Sequence, residues 1–461
     1  MRRSAISGTA LWAIIAVVII IVIVGGVAAY YATRPPPPKP STTTTTTRAI
    51  VGQVTIGIED SLTGSLGPIG EEGLWSAQLA ANQINSQGGI YLANGPNGPG
   101  NYTINLVWQD DQSSPSNGPT ATATLITDDH AAILLTTPAS DVAIADIPII
   151  EQYKEPSLFM CLSPLATRTQ NLTNFDPAKY MIFHYQPTAL QQGLWAAEFI
   201  VQVVKPQISP NAPIRIVYIG QDTEMGQDFL AGFNMSLYQN GWQNDVDLVD
   251  VMFYPAGNTQ FQSILTAAAT YHPQVLLLGT WTNEQAALSE QAAEIPQLKG
   301  VVQIGNAIDD DPSFYGPAGQ AAAGVFVPTD FPSTALTSNA TINAKWIAFK
   351  QALLAYSGHA ANLPGTSFYD EMWIAAYALQ DAGSTNSTAI IQALETMPPP
   401  SQLVIPVMAT PQGTLFNSYH EATFQPMMIE AFWNSSSQSV YTQVVWPSQY
   451  ATASPVLTGT P

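Results

Sequence analysis

Val54-Thr-Ile-Gly-Ile58, then Leu74, Ala77, Ala81 and Ile84, then Gly88-Gly89, is the stretch whose reading decides the fold. The first run is short and apolar, which suits a buried strand. The next apolar residues recur at spacings of three and four, the period of one helix face, and the paired glycines mark where that helix stops. A second strand-like run, Ile104-Asn-Leu-Val-Trp108, follows directly. Strand, helix and strand in this order imply parallel pairing through a right-handed crossover.

The same pattern continues outward. An Ala/Thr-rich helix through Leu125 and Ile126 leads to a strand over 131–135, a helix from Ser140 or Asp141 to Tyr153, and a strand over 158–162. A second series starts near Thr188. It reads as a helix over 191–204, a strand over 214–219, a helix over 225–238, a strand over 248–253 and a helix over 261–271, then a strand over 275–278, a helix over 285–293 and a strand over 301–304. Beyond Phe331, segments 342–356 and 368–382 read as helices, and the tail from His420 alternates like edge strands. At 461 residues the chain fits two α/β lobes of comparable size better than one.

Composition narrows the function. Charged residues are 10% of the chain, with Lys+Arg 13 against Asp+Glu 33 and a net charge of −20; about a quarter is ordinary. Eight basic residues follow Arg48, too few for the cationic face that nucleic-acid binding requires. At 46% hydrophobic residues the chain can build a substantial core. Few charges beside many amides and hydroxyls suit an exterior where carboxylates are largely protonated. Cys161 is the single cysteine, so no intrachain disulfide forms, and its neighbours Phe159, Met160 and Leu162 read as a buried strand. No GxxxxGK, GxSxG, HExxH or CxxC motif is present, which points away from an enzyme. Asp110-Asp111 and Asp309-Asp310-Asp311 are the acidic clusters to test as metal sites. Neither has the spacing of a calcium loop, and each follows a strand, where turn and capping carboxylates are common.

The amino-terminal residues carry a different signal. Residues 1–33 hold an apolar run from Leu11 to Val24 that continues to Tyr31, between Arg2-Arg3 and Arg34. Its length suits a membrane-crossing helix, and it exceeds the apolar core of a cleaved secretory signal. The expected segment is an uncleaved or pilin-like anchor. Residues 34–50, with Pro35-Pro-Pro-Pro-Lys-Pro40 and the threonine run ending at Thr47, favour an extended stalk. Asn101, Asn171, Asn234, Asn339, Asn386 and Asn434 each open an Asn-x-Ser/Thr acceptor for glycosylation, in keeping with an extracellular soluble part.

In Val54-Thr-Ile-Gly57, Leu62-Thr-Gly64, Gly70, Ile84-Asn-Ser-Gln-Gly-Gly-Ile90, Asp110-Asp111, Ser140, Pro148, Pro156, Ser163-Pro-Leu-Ala-Thr167, Gly193, Gly226 and Tyr369-Asp370, the chain resembles extracellular solute-binding proteins of branched-chain amino-acid ABC transporters. The likeness covers roughly residues 51–430. It implies a type I periplasmic-binding-protein fold, in which parallel sheets flanked by helices form two lobes joined by three crossovers. Lobe 1 would comprise 51–187 with 330–410, and lobe 2 would comprise 188–329 with 411–461.

The resemblance further implies that Ser140, at the start of a helix, and Ser163, on a facing loop, donate to a ligand carboxylate near free helix N–H groups. The plain alternatives are a helix cap and a turn hydroxyl. Ile69, Met225 and Trp281 fall where the family encloses its ligand with aromatic rings, and only Trp281 is aromatic. Ala307 replaces the family's acidic partner for an ammonium group. Either Asp309 or Asp222 supplies that carboxylate, or the ligand lacks a free amine. The implied role is a tethered receptor, with no cofactor, that captures a small solute and delivers it to an ABC permease with cytoplasmic ATPase subunits. An apolar or branched-chain amino acid comes first as ligand, and a related carboxylate or amide second. A ligand-sensing or surface-assembly protein reusing the same fold is the alternative.

Overall fold

A computed structural model of the chain describes residues 49–457, apart from 65, 164–179, 307–309 and 333. The expected anchor, most of the stalk, Asp309 and Asn171 lie outside the described residues. Among those described, no helix is long and apolar enough to cross a membrane.

The decisive stretch forms β1 (Ile50–Asp60) and α1 (Gly67–Ser86). Val54, Ile56 and Ile58 are buried, as are Leu74, Ala77, Ala81 and Ile84 on one face of α1. The helix ends because Gly88 and Gly89 turn to φ 99° and 72°, which lets the N–H of Gly89 reach back to the Ile84 carbonyl at 3.0 Å. The chain continues as β2 (Ile90–Leu92), β3 (Gly100–Asp110), α2 (Gly118–Thr127), β4 (Leu134–Thr136), α3 (Ser140–Tyr153), β5 (Ser157–Phe159) and β6 (Ile182–His184). These strands form a six-stranded sheet in the order β2-β3-β1-β4-β5-β6, parallel except for the β2–β3 pair. Cys161 is buried but lies just beyond β5 rather than within a strand.

The second sheet begins after a passage at residues 185–188. Thr188 opens α4 (Ala189–Phe199) with a reciprocal cap. Its hydroxyl accepts from the Gln191 N–H at 3.2 Å, and its own N–H donates to the Gln191 side chain at 3.3 Å. The single helix expected over 191–204 instead passes into a π turn at Ile200–Val204 and then α5 (Lys205–Ile208). Next come β7 (Ile214–Gln221), α6 (Glu224–Gln239), β8 (Val246–Tyr254), α7 (Gln262–Thr270), β9 (Val275–Gly279), α8 (Thr282–Ala293), β10 (Val302–Ile304), α9 (Pro312–Ala318) and β11 (Val325–Thr329). Helices α4 and α6 pack backbone to backbone. A Cβ on Gly193 would collide with the Phe229 carbonyl, and one on Gly232 with the Leu190 carbonyl.

After β11 the chain returns to the first sheet and lays down α10 (Ala340–Ser357), α11 (Leu363–Ala382) and α12 (Ser387–Thr396). Helix α11 is buried on nearly every side and packs on α1. It starts five residues earlier than its apolar pattern implies, because the Asn362 side chain caps it by accepting from the Gly365 N–H at 2.9 Å.

Short strands β12 (Val407–Met408) and β13 (Thr423–Phe424) then pair with each other. The loop before β13 docks on β6, with His184 N–H donating to the His420 carbonyl at 2.8 Å and Ala422 N–H to the His184 carbonyl at 2.9 Å. The final passage therefore falls at 425–426, not at 410–411. Buried Leu415, Phe416 and Phe424 hold the intervening segment on the first lobe's core. The tail ends in β14 (Met427–Asn434) and β15 (Ser439–Trp446), completing a seven-stranded sheet of order β15-β14-β11-β10-β9-β7-β8. Of these two, only β15 is an edge strand. β14 lies inside the sheet, antiparallel to both neighbours.

Candidate functional site

Parallel sheets point their carboxyl ends one way, and loops leaving those ends shape the crevice of an open α/β fold. On the first lobe these loops follow β1, β4 and β5. Buried Ser61 donates to Asp111 Oδ1 at 2.7 Å and meets the Thr137 hydroxyl at 3.1 Å. The Thr137 N–H donates to Glu59 Oε2 at 3.2 Å, and the Ala139 N–H donates to the Thr137 hydroxyl at 3.3 Å. This ladder fixes the turn into α3.

Ala139 takes the capping position without a side-chain bond, so Ser140 is the first helical residue rather than the cap. Its hydroxyl accepts from the Ser163 N–H at 3.2 Å. Ser163 in turn donates to Asp228 Oδ2 on α6 at 3.4 Å, which joins the two lobes directly. Asp141 stands in the first turn of α3 and already offsets part of the positive helix end.

A cavity of about 280 Å³ opens between the lobes. The first lobe contributes Ile69 and Glu72 from α1 and residues 359–364 before and within α11, and the second contributes Thr282 at the start of α8 and residues 310–313. Glu72 is only 7% exposed, and its Oε1 accepts from the Asn362 N–H at 2.6 Å. Burial raises its pKa to about 8, against the lowering effect of that N–H, and the charge of Asp311 across the cavity raises it further. Asp311 caps α9 through the Ser313 N–H at 2.7 Å. Asp310 accepts from the Tyr315 and Thr334 hydroxyls at 3.0 and 3.1 Å.

Of the residues singled out from sequence, Ile69 lines this cavity and Trp281 precedes its Thr282. Ser140 and Ser163 are brought together elsewhere on the crevice. Met225 is buried in the second lobe's core, with Asn306 Nδ2 3.4 Å from its sulfur. Asp222 is exposed and accepts from Gln227 at 3.1 Å. Sequence reasoning missed Glu72 and Asp228, and it singled out Asp311 only within an acidic cluster to test for metal. The available signal for Glu72 was its place at helical spacing between Ile69 and Ser76, one turn from the apolar Leu74–Ala77–Ala81 stripe.

The acidic clusters serve the loops. Asp110 accepts from the Thr63 N–H and hydroxyl at 3.1 and 2.6 Å and from the Gln112 N–H at 2.8 Å. Among the described residues, no group of three or more His, Cys, Asp or Glu side chains is disposed to hold a metal ion. Cys161 lies 4.0 Å from His184 Nε2, but burial pushes its thiol up to about 12, which removes the thiolate a nucleophile needs.

Residues 53–425 match the family described as periplasmic binding protein. The chain belongs to that family. Comparison with curated proteins gives no match. Among solved structures, an ABC transporter substrate-binding protein from Sphaerobacter thermophilus is 20% identical, with a TM-score of 0.69 over 88% of this chain and 100% of that one. The branched-chain amino acid transporter substrate binding protein LivJ from Streptococcus pneumoniae, in complex with isoleucine, is 19% identical, with a TM-score of 0.65 over 86% and 100%. A solute binding protein from R. palustris in complex with benzoate is 17% identical, with a TM-score of 0.63 over 88% and 99%. These likenesses establish the two-lobed fold of a periplasmic binding protein for this chain.

Proposed function

We infer that this periplasmic binding protein captures a small solute between its lobes and hands it to an ABC permease with cytoplasmic ATPase subunits. The observation that carries the reading is the cavity whose walls come from both lobes. Its volume suits a molecule the size of an amino acid. Ile69, Ala361, Leu363 and Pro312 offer apolar contact, while Asp310 and Asp311 offer acidic oxygens and Glu72 a carboxyl that stays neutral until pH passes about 8, and among the described residues no Lys or Arg lines it. Helices α8 and α11 also begin at the cavity and present positive ends. An apolar amino acid, with its ammonium on the acids and its carboxylate on the helix starts, fits this lining better than a simple carboxylate such as benzoate. In this reading Glu72 and Asp311 take over from the missing acid at Ala307.

Ser140 and Ser163 would engage the solute on the other flank of the crevice as the lobes rearrange, with 51–187 plus 330–425 moving against the remainder. Residues 1–33 would hold the receptor at the membrane on the stalk at 34–50, with the soluble part outside the cell. Calorimetry with leucine, isoleucine, leucinamide and benzoate tests the assignment. Binding of the amino acids that is abolished by Glu72→Gln supports it. Binding of benzoate alone removes the amine reading, and no heat from any compound removes solute capture.

A further inference from the structure

Three carboxyls meet beneath the turn that presents Ser140: Glu59 at the end of β1, Asp111 just after β3 and Asp146 on α3. All three are fully buried. One side of the group is well supplied with donors. Glu59 Oε2 accepts from the Thr137 N–H, and Asp111 Oδ1 accepts from Ser61 and from the Ser113 N–H. The other side is poorly supplied, because Glu59 Oε1 and Asp111 Oδ2 meet no N–H or O–H donor and the Thr122 hydroxyl is the one donor acting on Asp146.

Instead the acids meet one another. The Glu59 carboxyl lies within interaction range of those of Asp111 and Asp146. The groups around them are the Thr122 hydroxyl from α2, the Thr137 N–H, the Cys161 thiol after β5 and, one step further, Asp60, on which Asp110 and Asp111 act and which itself acts on Glu371. No base acts on Glu59, Asp60 or Asp146. Two fully buried carboxylates this close cannot both stay ionised. A carboxyl–carboxyl contact becomes a hydrogen bond only when one member carries a proton.

We propose that Glu59 and Asp146 share a proton in the folded protein, and that this protonated pair positions the Thr137–Ser140 turn so that solute capture is proton-linked. The proposal rests on the reading that the Ser140 side of the crevice engages solute. Glu59 and Asp146 are positioning residues, since they act through the turn and not on the solute. Burial is the main reason both titrate high, and Asp146 reaches about 8. The proton is therefore held below that pH and lost as pH rises through it. Affinity is expected to fall as pH rises through about 8, and because ionisation of Glu72 in the cavity opposes that fall over the same range, the expected readout is a loss in the unsubstituted chain relative to Asp146→Asn of up to about tenfold per pH unit.

The test measures affinity for the amino acid that binds at pH 6 across pH 5 to 9.5, in the full chain and in Asp146→Asn. The variant keeps a permanent N–H donor toward Glu59, so its affinity should show no fall up to pH 9. An infrared difference spectrum between the two proteins at pH 7 should show a protonated carboxyl band in the unsubstituted chain alone. Exchange of the Thr137 amide, corrected for its intrinsic rate, should accelerate above pH 8 only in that chain. These last two readouts stand even if no solute is found, so failure of the transport reading is separable. An affinity with the same pH dependence in both proteins, no carboxyl band, or stabilisation by Ca²⁺ that Asp146→Asn abolishes would each overturn the proposal.

Discussion

Glu155→Gln isolates the effect of one buried acid on the stability of the whole protein. Glu155 is 7% exposed between α3 and β5, its Oε1 meets no donor, and burial alone raises its pKa to about 8. In the unfolded chain it titrates near the ordinary glutamate value of about 4.3. The folded state therefore binds the proton more tightly. Its contribution to stability is fully present below about pH 4.3, declines by about 1.4 kcal/mol per pH unit above it, and levels off once pH passes about 8. The interval sets a ceiling of about 5 kcal/mol, and relaxation around a single acid brings a realistic figure to about 2–3 kcal/mol. Glutamine keeps the shape and cannot ionise. The variant should melt with the unsubstituted protein at pH 4 and, at about 2 °C per kcal/mol, about 4–6 °C above it at pH 8. Circular dichroism melts at the two pH values measure both. An equal shift at both pH values, or a larger one at pH 4, would refute the reasoning.

Other substitutions probe separate links. Asp370 on α11 accepts from the Val404 and Ile405 N–H groups at 2.7 and 2.9 Å and from the Tyr185 hydroxyl at 3.0 Å. Asp370→Ala strands three buried donors and should lower stability by about 3–5 kcal/mol in urea melts, with Tyr185→Phe costing about 1 kcal/mol. Gly232→Ala forces α4 and α6 apart and should lower stability by about 1–3 kcal/mol, seen as a lower thermal midpoint. The buried Cys161 thiol should resist a thiol reagent at pH 8 in the native protein and react at once in guanidinium. Expressed in a glycosylating host, exposed Asn234 and Asn434 should carry glycan by peptide mass mapping. Asn101, whose Nδ2 donates to the Gly88 carbonyl at 2.8 Å, should not.

Long periodic segments were readable and short ones were not. The α1 and α6 stripes and the apolar runs of β1, β7 and β9 each carry their own period, so local sequence suffices to place them. Three-residue strands such as β2, β4, β6 and β10 owe their state to neighbours in the sheet. Of these, β2 and β6 went unrecognised, as did α9 and α12. The π turn at 200–204 leaves no sequence mark, since its residues are as apolar as the helix before it. The crevice was harder still. Ser140 and Ser163 came from resemblance, whereas Glu72 meets Asn362 across 290 positions and Ser163 meets Asp228 across 65. Such pairings arise only from the folded topology.

The return of the chain to the first lobe also governs how the protein must be made. Every strand of the first sheet has been synthesised by His184, yet α11, which covers that sheet and reaches only from Leu363 to Ala382, emerges from the ribosome much later. The second sheet waits longer still, because β11 stays half-paired until β14 and β15 are translated. Neither half can finish folding on a nascent chain. A chain halted before Trp446 would carry bare apolar surface in both halves, the kind of species chaperones bind and proteases clear.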